Sequence, residues 1–140
     1  MRLRPGTIVG AAALALAGVI TISCGGVNDP SQNVTDTLTL NVTARGGQSN
    51  IATFNVGNSG EYSVKVTASN PSYSSTFALN VGVGDANSCG IIQQNFFATV
   101  NGVSLGGQVV QKGLYCVFIA DVNGSFPTTG VSFTVQANHP

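Results

Sequence analysis

Charge is the first thing this chain is short of. Five basic and five acidic residues make 7% of the 140 positions charged, against about 25% in an ordinary soluble domain. Two of the five basic residues are Arg2 and Arg4. The other three cannot form a stripe able to release counterions from a phosphate backbone, which excludes nucleic acid as a partner. Tryptophan is absent and tyrosine numbers three, which disfavours a ring-stacking platform for sugars. The single histidine, His139, sits one residue from the end and is expected in a solvated tail, where it would serve neither a metal centre nor a general base. The acidic residues Asp29, Asp36, Glu61, Asp85 and Asp121 are scattered in sequence, too far apart to mark a calcium loop or a carboxylate pair. The expectation is a protein without catalytic residues, metal, cofactor or small-molecule substrate.

What is abundant is turn and strand chemistry. Hydrophobic residues make up 43% of the chain and glycine occurs 18 times, enough apolar content for one core broken by many turns. The apolar residues alternate. LTLNVTA (38–44) sets Leu38, Leu40 and Val42 against Thr39, Asn41 and Thr43, and EYSVKVTA (61–68) sets Tyr62, Val64 and Val66 against Glu61, Ser63, Lys65 and Thr67. TFALNVGV (76–83) and VSFTVQA (131–137) repeat the pattern. A period of two is that of a half-buried strand. Segments 51–57, 95–101 and 103–111 are further strands, the last bent or bulged at Gly106 and Gly107. YCVFIA (115–120) is apolar on both faces and is expected at the centre of a sheet. Segments such as GDANSCG and NGSFPTTG between them carry turn residues. No stretch after residue 37 has helical spacing of apolar residues. The predicted fold is all-β, an antiparallel sandwich of about seven or eight strands wrapped as a jelly roll or in the immunoglobulin-like manner.

The first residues read as an export signal: Arg2 and Arg4, an uncharged apolar segment from 8 to 22, then small residues. An uncleaved anchoring helix is the second reading, although the segment is short and weakly apolar for a span of about 20 residues. TISC (21–24), followed by Gly25 and Gly26, resembles the bacterial lipoprotein box, with Thr21 where that family usually has leucine. The resemblance implies cleavage before Cys24 and acylation of its thiol. Each buried methylene of an acyl chain contributes ~0.8 kcal/mol of membrane affinity, so several chains hold a protein permanently. The expected organisation is a signal peptide over 1–23, a flexible tether over 24–37 and the sandwich over 38–140. The expected place is the cell envelope, on the outer membrane if there are two, since Gly25 is not the Asp that resembles an inner-membrane retention signal. Secretion without an anchor is the alternative.

Lipidation at Cys24 also settles the cysteine count. Of three cysteines it leaves Cys89 and Cys116, inside the domain and in a compartment where disulfides persist. Their spacing is not Cys-x-x-Cys and no histidine lies near in sequence, so a structural disulfide is expected rather than redox or metal chemistry.

One internal echo stands out. GEYSVKV (60–66) and GLYCVFI (113–119) share Gly-x-Tyr-x-Val, with Gly60 and Gly113 allowing a tight turn into each strand and Tyr62 and Tyr115 packing inward with their hydroxyls satisfied. With TFALNV in the middle and GVSFTVQA last, this order of strands resembles the bacterial pre-peptidase C-terminal domain family over roughly residues 50 to 137. It is also similar to small exported domains of soil bacteria that end in a like strand plus His-Pro. The resemblance implies a jelly-roll-like sandwich serving as an accessory domain on secreted or surface proteins. Phe96 and Phe97 form the one conspicuous aromatic pair. Burial of both in a strand covered on each side is the simpler expectation, and exposure as a contact for an envelope or secreted protein is the functional one. The function expected is an accessory or protein-interaction module at the envelope. A binding module for an extracellular polymer, or a structural envelope-assembly protein, is the alternative.

Overall fold

A computed structural model describes residues 32–140 of the chain. The signal segment, Cys24 and the first part of the tether lie outside the described residues. Eight strands follow one another: β1 (Val34–Val42), β2 (Ala52–Val56), β3 (Gly60–Asn70), β4 (Phe77–Gly84), β5 (Cys89–Ala98), β6 (Leu105–Val110), β7 (Gly113–Ala120) and β8 (Val131–His139). They form two four-stranded antiparallel sheets, ordered β1-β8-β3-β6 and β2-β7-β4-β5.

The four pairs β1·β8, β2·β7, β3·β6 and β4·β5 are nested, each enclosing the next. The chain is thus one long hairpin folded at the β4–β5 turn and wrapped on itself, so that β8 also meets β3 and β7 also meets β4. That is the jelly-roll wrapping, the first of the two predicted.

Alternation decides which side of each strand is covered. Leu40 and Val42, Val64 and Val66, Val131, Phe133 and Val135 turn inward from one sheet. Phe54 and Val56, Phe77, Leu79 and Val81, Val117 and Ile119 meet them from the other. Full burial of each such side chain is worth roughly 1.5–3 kcal/mol against exposure. At one end Tyr73, Phe77, Phe126 and Phe133 pack ring on ring, with Tyr73–Phe126 and Phe77–Phe133 centroids both 5.0 Å apart. The loop that delivers Phe126 is tied by Asp121, whose carboxylate accepts the N–H groups of Gly46 at 2.7 Å, Ser125 at 2.9 Å and Phe126 at 3.0 Å. Burial pushes the Asp121 carboxyl up, but these backbone donors outweigh it and hold it below the ordinary range.

β7 lies inside its sheet, as its two apolar faces predicted. The glycine bend predicted at Gly106 and Gly107 is a bulge on β6, where the pairing with β3 shifts between Glu61 and Ser63 and Gly107 has φ 82°.

Three expectations are corrected. β1 starts at Val34 rather than Leu38, so 34–37 belong to the sandwich and not to a tether; Asp36 pairs with Ala137 across the ladder. The strand expected at 95–101 runs instead from Cys89 to Ala98, and its turn shrinks to residues 85–88. His139 is not in a solvated tail. It is the last residue of β8, 4% exposed, with Nε2 3.1 Å from Asp36 Oδ2 and its ring centroid 5.2 Å from that of Phe54. A lone terminal histidine gave no periodic signal, and only pairing with β1 makes its burial visible.

Candidate functional site

β5 is the outer strand of its sheet. The chain turns into it through Asp85, whose Oδ1 accepts the N–H groups of Asn87 at 2.8 Å and Ser88 at 3.0 Å. Gly84 holds φ +146° there, and a Cβ on it would lie 2.0 Å from the Ser88 carbonyl oxygen, so only glycine fits.

The beginning of β5 is folded down over β4 and fastened. Cys89 is bonded to Cys116 of β7, with Cα atoms 5.8 Å apart, although β4 lies between the two strands. The bridge therefore crosses β4, and it does so at Gly82: a Cβ there would stand 2.4 Å from the Gly90 carbonyl oxygen and 2.8 Å from Cys89 Sγ. The disulfide expected from the cysteine count is present, and its footing on a glycine was not foreseen.

Further along, consecutive amides pin the strand on both faces. The Tyr62 hydroxyl donates to Gln93 Oε1, while Gln93 Nε2 donates to the Gly106 carbonyl at 3.2 Å. On the other face Gln94 Nε2 donates to Oδ1 of the fully buried Asn80, whose own Nδ2 donates to the Phe118 carbonyl at 3.4 Å. Gln93, Gln94 and Asn95 pair regularly with Val81, Asn80 and Leu79. On either side β5 carries one residue more than β4, once between Ile91 and Gln93 and once between Asn95 and Ala98.

These two bulges explain the exposure of the apolar residues beside them. An extra residue breaks the alternation that would otherwise tuck every second side chain inward. Phe97 is 80% and Phe96 51% exposed, with Ile91 at 50% and Ile92 at 43%. The simpler expectation for the phenylalanines, burial of both in a doubly covered strand, is overturned. Asn95 Oδ1 accepts the Phe97 N–H at 2.9 Å. The result is an open strand edge with four large apolar side chains and no ionisable residue between Cys89 and Ala98. Ile91 and Ile92 were missed in the sequence because they follow a cysteine in what reads as a turn; the signal was the uncharged, proline-free run IIQQNFF.

The paired tyrosines both belong to the core. Tyr62 is 2% and Tyr115 6% exposed. The Tyr115 hydroxyl donates to the Gln111 carbonyl at 2.9 Å and accepts the Gln111 N–H at 3.1 Å, and its ring stacks on Phe54 at 5.8 Å. Burial, and secondarily Tyr115 itself, pushes the Tyr62 hydroxyl from 10.0 up to about 12. Gly60 and Gly113 open β3 and β7. Neither has a positive φ, so the tight turn offered as their reason does not require glycine backbone.

Polar groups also gather at two other places. His139 and Asp36 form a pair, but the second ring nitrogen faces the Pro140 carbonyl at 3.4 Å, and among the described residues neither nitrogen meets a hydroxyl or thiol. A cleft of about 490 Å³ between Asn41, Thr43, Asn70, Thr129 and Ser132 is lined, among the described residues, by no ionisable side chain. Among the described residues no three of His, Cys, Asp and Glu gather where they could hold a metal. No family model matches the chain, and no curated protein and no solved structure matches it.

Proposed function

We propose that this protein is a non-catalytic protein-contact module of the cell envelope, exported by its N-terminal signal and tethered to a membrane by an acylated Cys24, in the manner of an accessory domain like those of the pre-peptidase C-terminal family. One observation carries the contact reading: the β5 edge presents Ile91, Ile92, Phe96 and Phe97 to solvent along a strand with no charge and no proline. Edge strands left bare in this way are normally blunted by lysine, proline or a covering loop, because an open ladder recruits other chains. Here the edge is stiffened instead, by the disulfide at its start and by the amides of Gln93 and Gln94. A rigid apolar edge loses little order when it docks. The signal TISCGG supports the anchor.

The test is photocrosslinking in the intact host with a photoreactive amino acid placed at Phe97 and, as the control, at the exposed Thr39 of β1. Adducts at Phe97 and none at Thr39 are expected, in a membrane fraction whose mature protein starts with a lipid-modified Cys24 by mass spectrometry. Equal labelling at both positions, or none at Phe97, would overturn the contact reading. An unmodified Cys24 would overturn the anchor.

A further inference from the structure

We propose that the occupant of the β5 edge is a second copy of this chain, paired antiparallel through β5 with the two-fold axis at Gln94. This rests on the protein-contact reading of the same edge and names its partner.

The strand is a palindrome in chemical class. Ile91, Ile92, Gln93, Gln94, Asn95, Phe96 and Phe97 read apolar, apolar, amide, amide, amide, apolar, apolar from either end. Two antiparallel copies centred on Gln94 set Ile91 opposite Phe97, Ile92 opposite Phe96, Gln93 opposite Asn95 and Gln94 opposite itself. Aromatic residues facing β-branched ones are among the favourable cross-strand pairs, and each occurs twice about the axis. An isologous contact needs this self-complementarity.

The local geometry has the same symmetry. Pairing with β4 is regular at Gln93, Gln94 and Asn95, and an extra residue of β5 lies on each side of that centre. The flat three-residue middle can share backbone hydrogen bonds across the axis, while the bulges on both flanks turn the isoleucines and phenylalanines outward to meet their counterparts. Phe97 N–H is already taken by Asn95 Oδ1, so the shared ladder runs between Ile92 and Phe96 and the outermost residues contribute side-chain contact. The amides of Gln93 and Gln94 are occupied within the protomer and do not compete.

Charge does not oppose the pairing. No ionisable side chain lies between Cys89 and Ala98, and the chain as a whole has a net charge of zero. The usual defence against edge-to-edge association, like charges brought together, is missing. Because each copy has one β5, the contact closes on itself and produces a dimer with one continuous sheet, β2-β7-β4-β5 running on into the same four strands of the second copy in reverse order.

The test measures the mass of the full chain in density-matched detergent micelles by sedimentation equilibrium, for the wild type, Gln94→Lys, Gln94→Glu and an equimolar mixture of the two variants. The wild type is expected to be dimeric. Each variant sets like charges face to face at the axis and should weaken self-association roughly tenfold or more. The mixture should recover the dimer, which also shows that both variants are folded. A monomeric wild type, variants as dimeric as the wild type, or a mixture that does not recover would each overturn the proposal. The identity of the Phe97 photoadducts separates the two readings. Adducts of twice the chain mass support the second copy. Adducts to a different protein leave the contact reading standing and sink this inference, and the absence of adducts sinks both.

Discussion

Gly82→Ala should destabilise the domain through a single added methyl in the middle of three strands. The new Cβ would lie 2.4 Å from the Gly90 carbonyl oxygen and 2.8 Å from Cys89 Sγ; neither is the free end of a flexible side chain. Something must move, and forced repacking of this kind costs about 1–3 kcal/mol. What presses Gly90 onto Gly82 is the bridge from Cys89 to Cys116, so the cost should depend on that bridge. Replacing both cysteines by serine removes the constraint of a 27-residue separation, worth about 3.5 kcal/mol in the chain-entropy model. It also frees the beginning of β5 to lift. In that background Gly82→Ala should cost less, by about 1 kcal/mol or more of coupling. Urea unfolding of the wild type, the glycine variant, the double-serine variant and the triple variant closes the cycle, with the midpoint and slope read separately. A Gly82→Ala loss below about 0.5 kcal/mol, the level of an ordinary surface change, would refute the steric argument. An equal loss in both backgrounds would refute the coupling to the disulfide.

The tyrosines give two further expectations. Tyr62→Ala and Tyr115→Ala should each lose about 3–5 kcal/mol, as large-to-small changes in a core do, and Tyr→Phe about 1 kcal/mol, the value of a hydrogen bond; thermal unfolding of the four variants checks this, and near-native stability of both Ala variants would reject the architectural role. The second concerns alkali. The Tyr62 hydroxyl is raised from 10.0 to about 12 in the folded protein. The unfolded chain therefore gives up this proton first, and stability falls as pH rises from 10.0 towards about 12. Tyr62→Phe should flatten that fall relative to the wild type, and a difference titration of wild type against Tyr62→Phe should place the missing ionisation well above 10.0.

Most of the core was legible before the structure, because it depends on period alone. Val64 and Val66, Phe77, Leu79 and Val81, and Val131, Phe133 and Val135 stand at every second position, and all are buried. β5 was not legible for the same reason turned round. Its two bulges break the period at the very residues that become exposed, while its polar Gln93 is drawn inward by Tyr62. Pattern reading favours inward phenylalanines and an outward Gln93, and here the bulges and the partner across the sandwich decide otherwise. Asp36 and His139 were likewise opaque, each looking like solvated polarity until the ladder between β1 and β8 brought them together. The disulfide was legible because it followed from counting, whereas the need for Gly82 beneath it is a property of three strands at once.

The nested pairing also fixes when this domain can close. β4·β5 is the one pairing within reach of neighbouring sequence; each enclosing pair spans a longer stretch, out to Asp36 and His139, 103 positions apart. Loop-closure entropy must be met before such distant contacts give anything back, so topologies of this kind fold late and slowly. β8 occupies the place between β1 and β3, so while the last strand is still being synthesised both of its neighbours lack their main partner and one sheet cannot form. A chain whose outer sheet waits for β8 stays an open thread until that strand has been made.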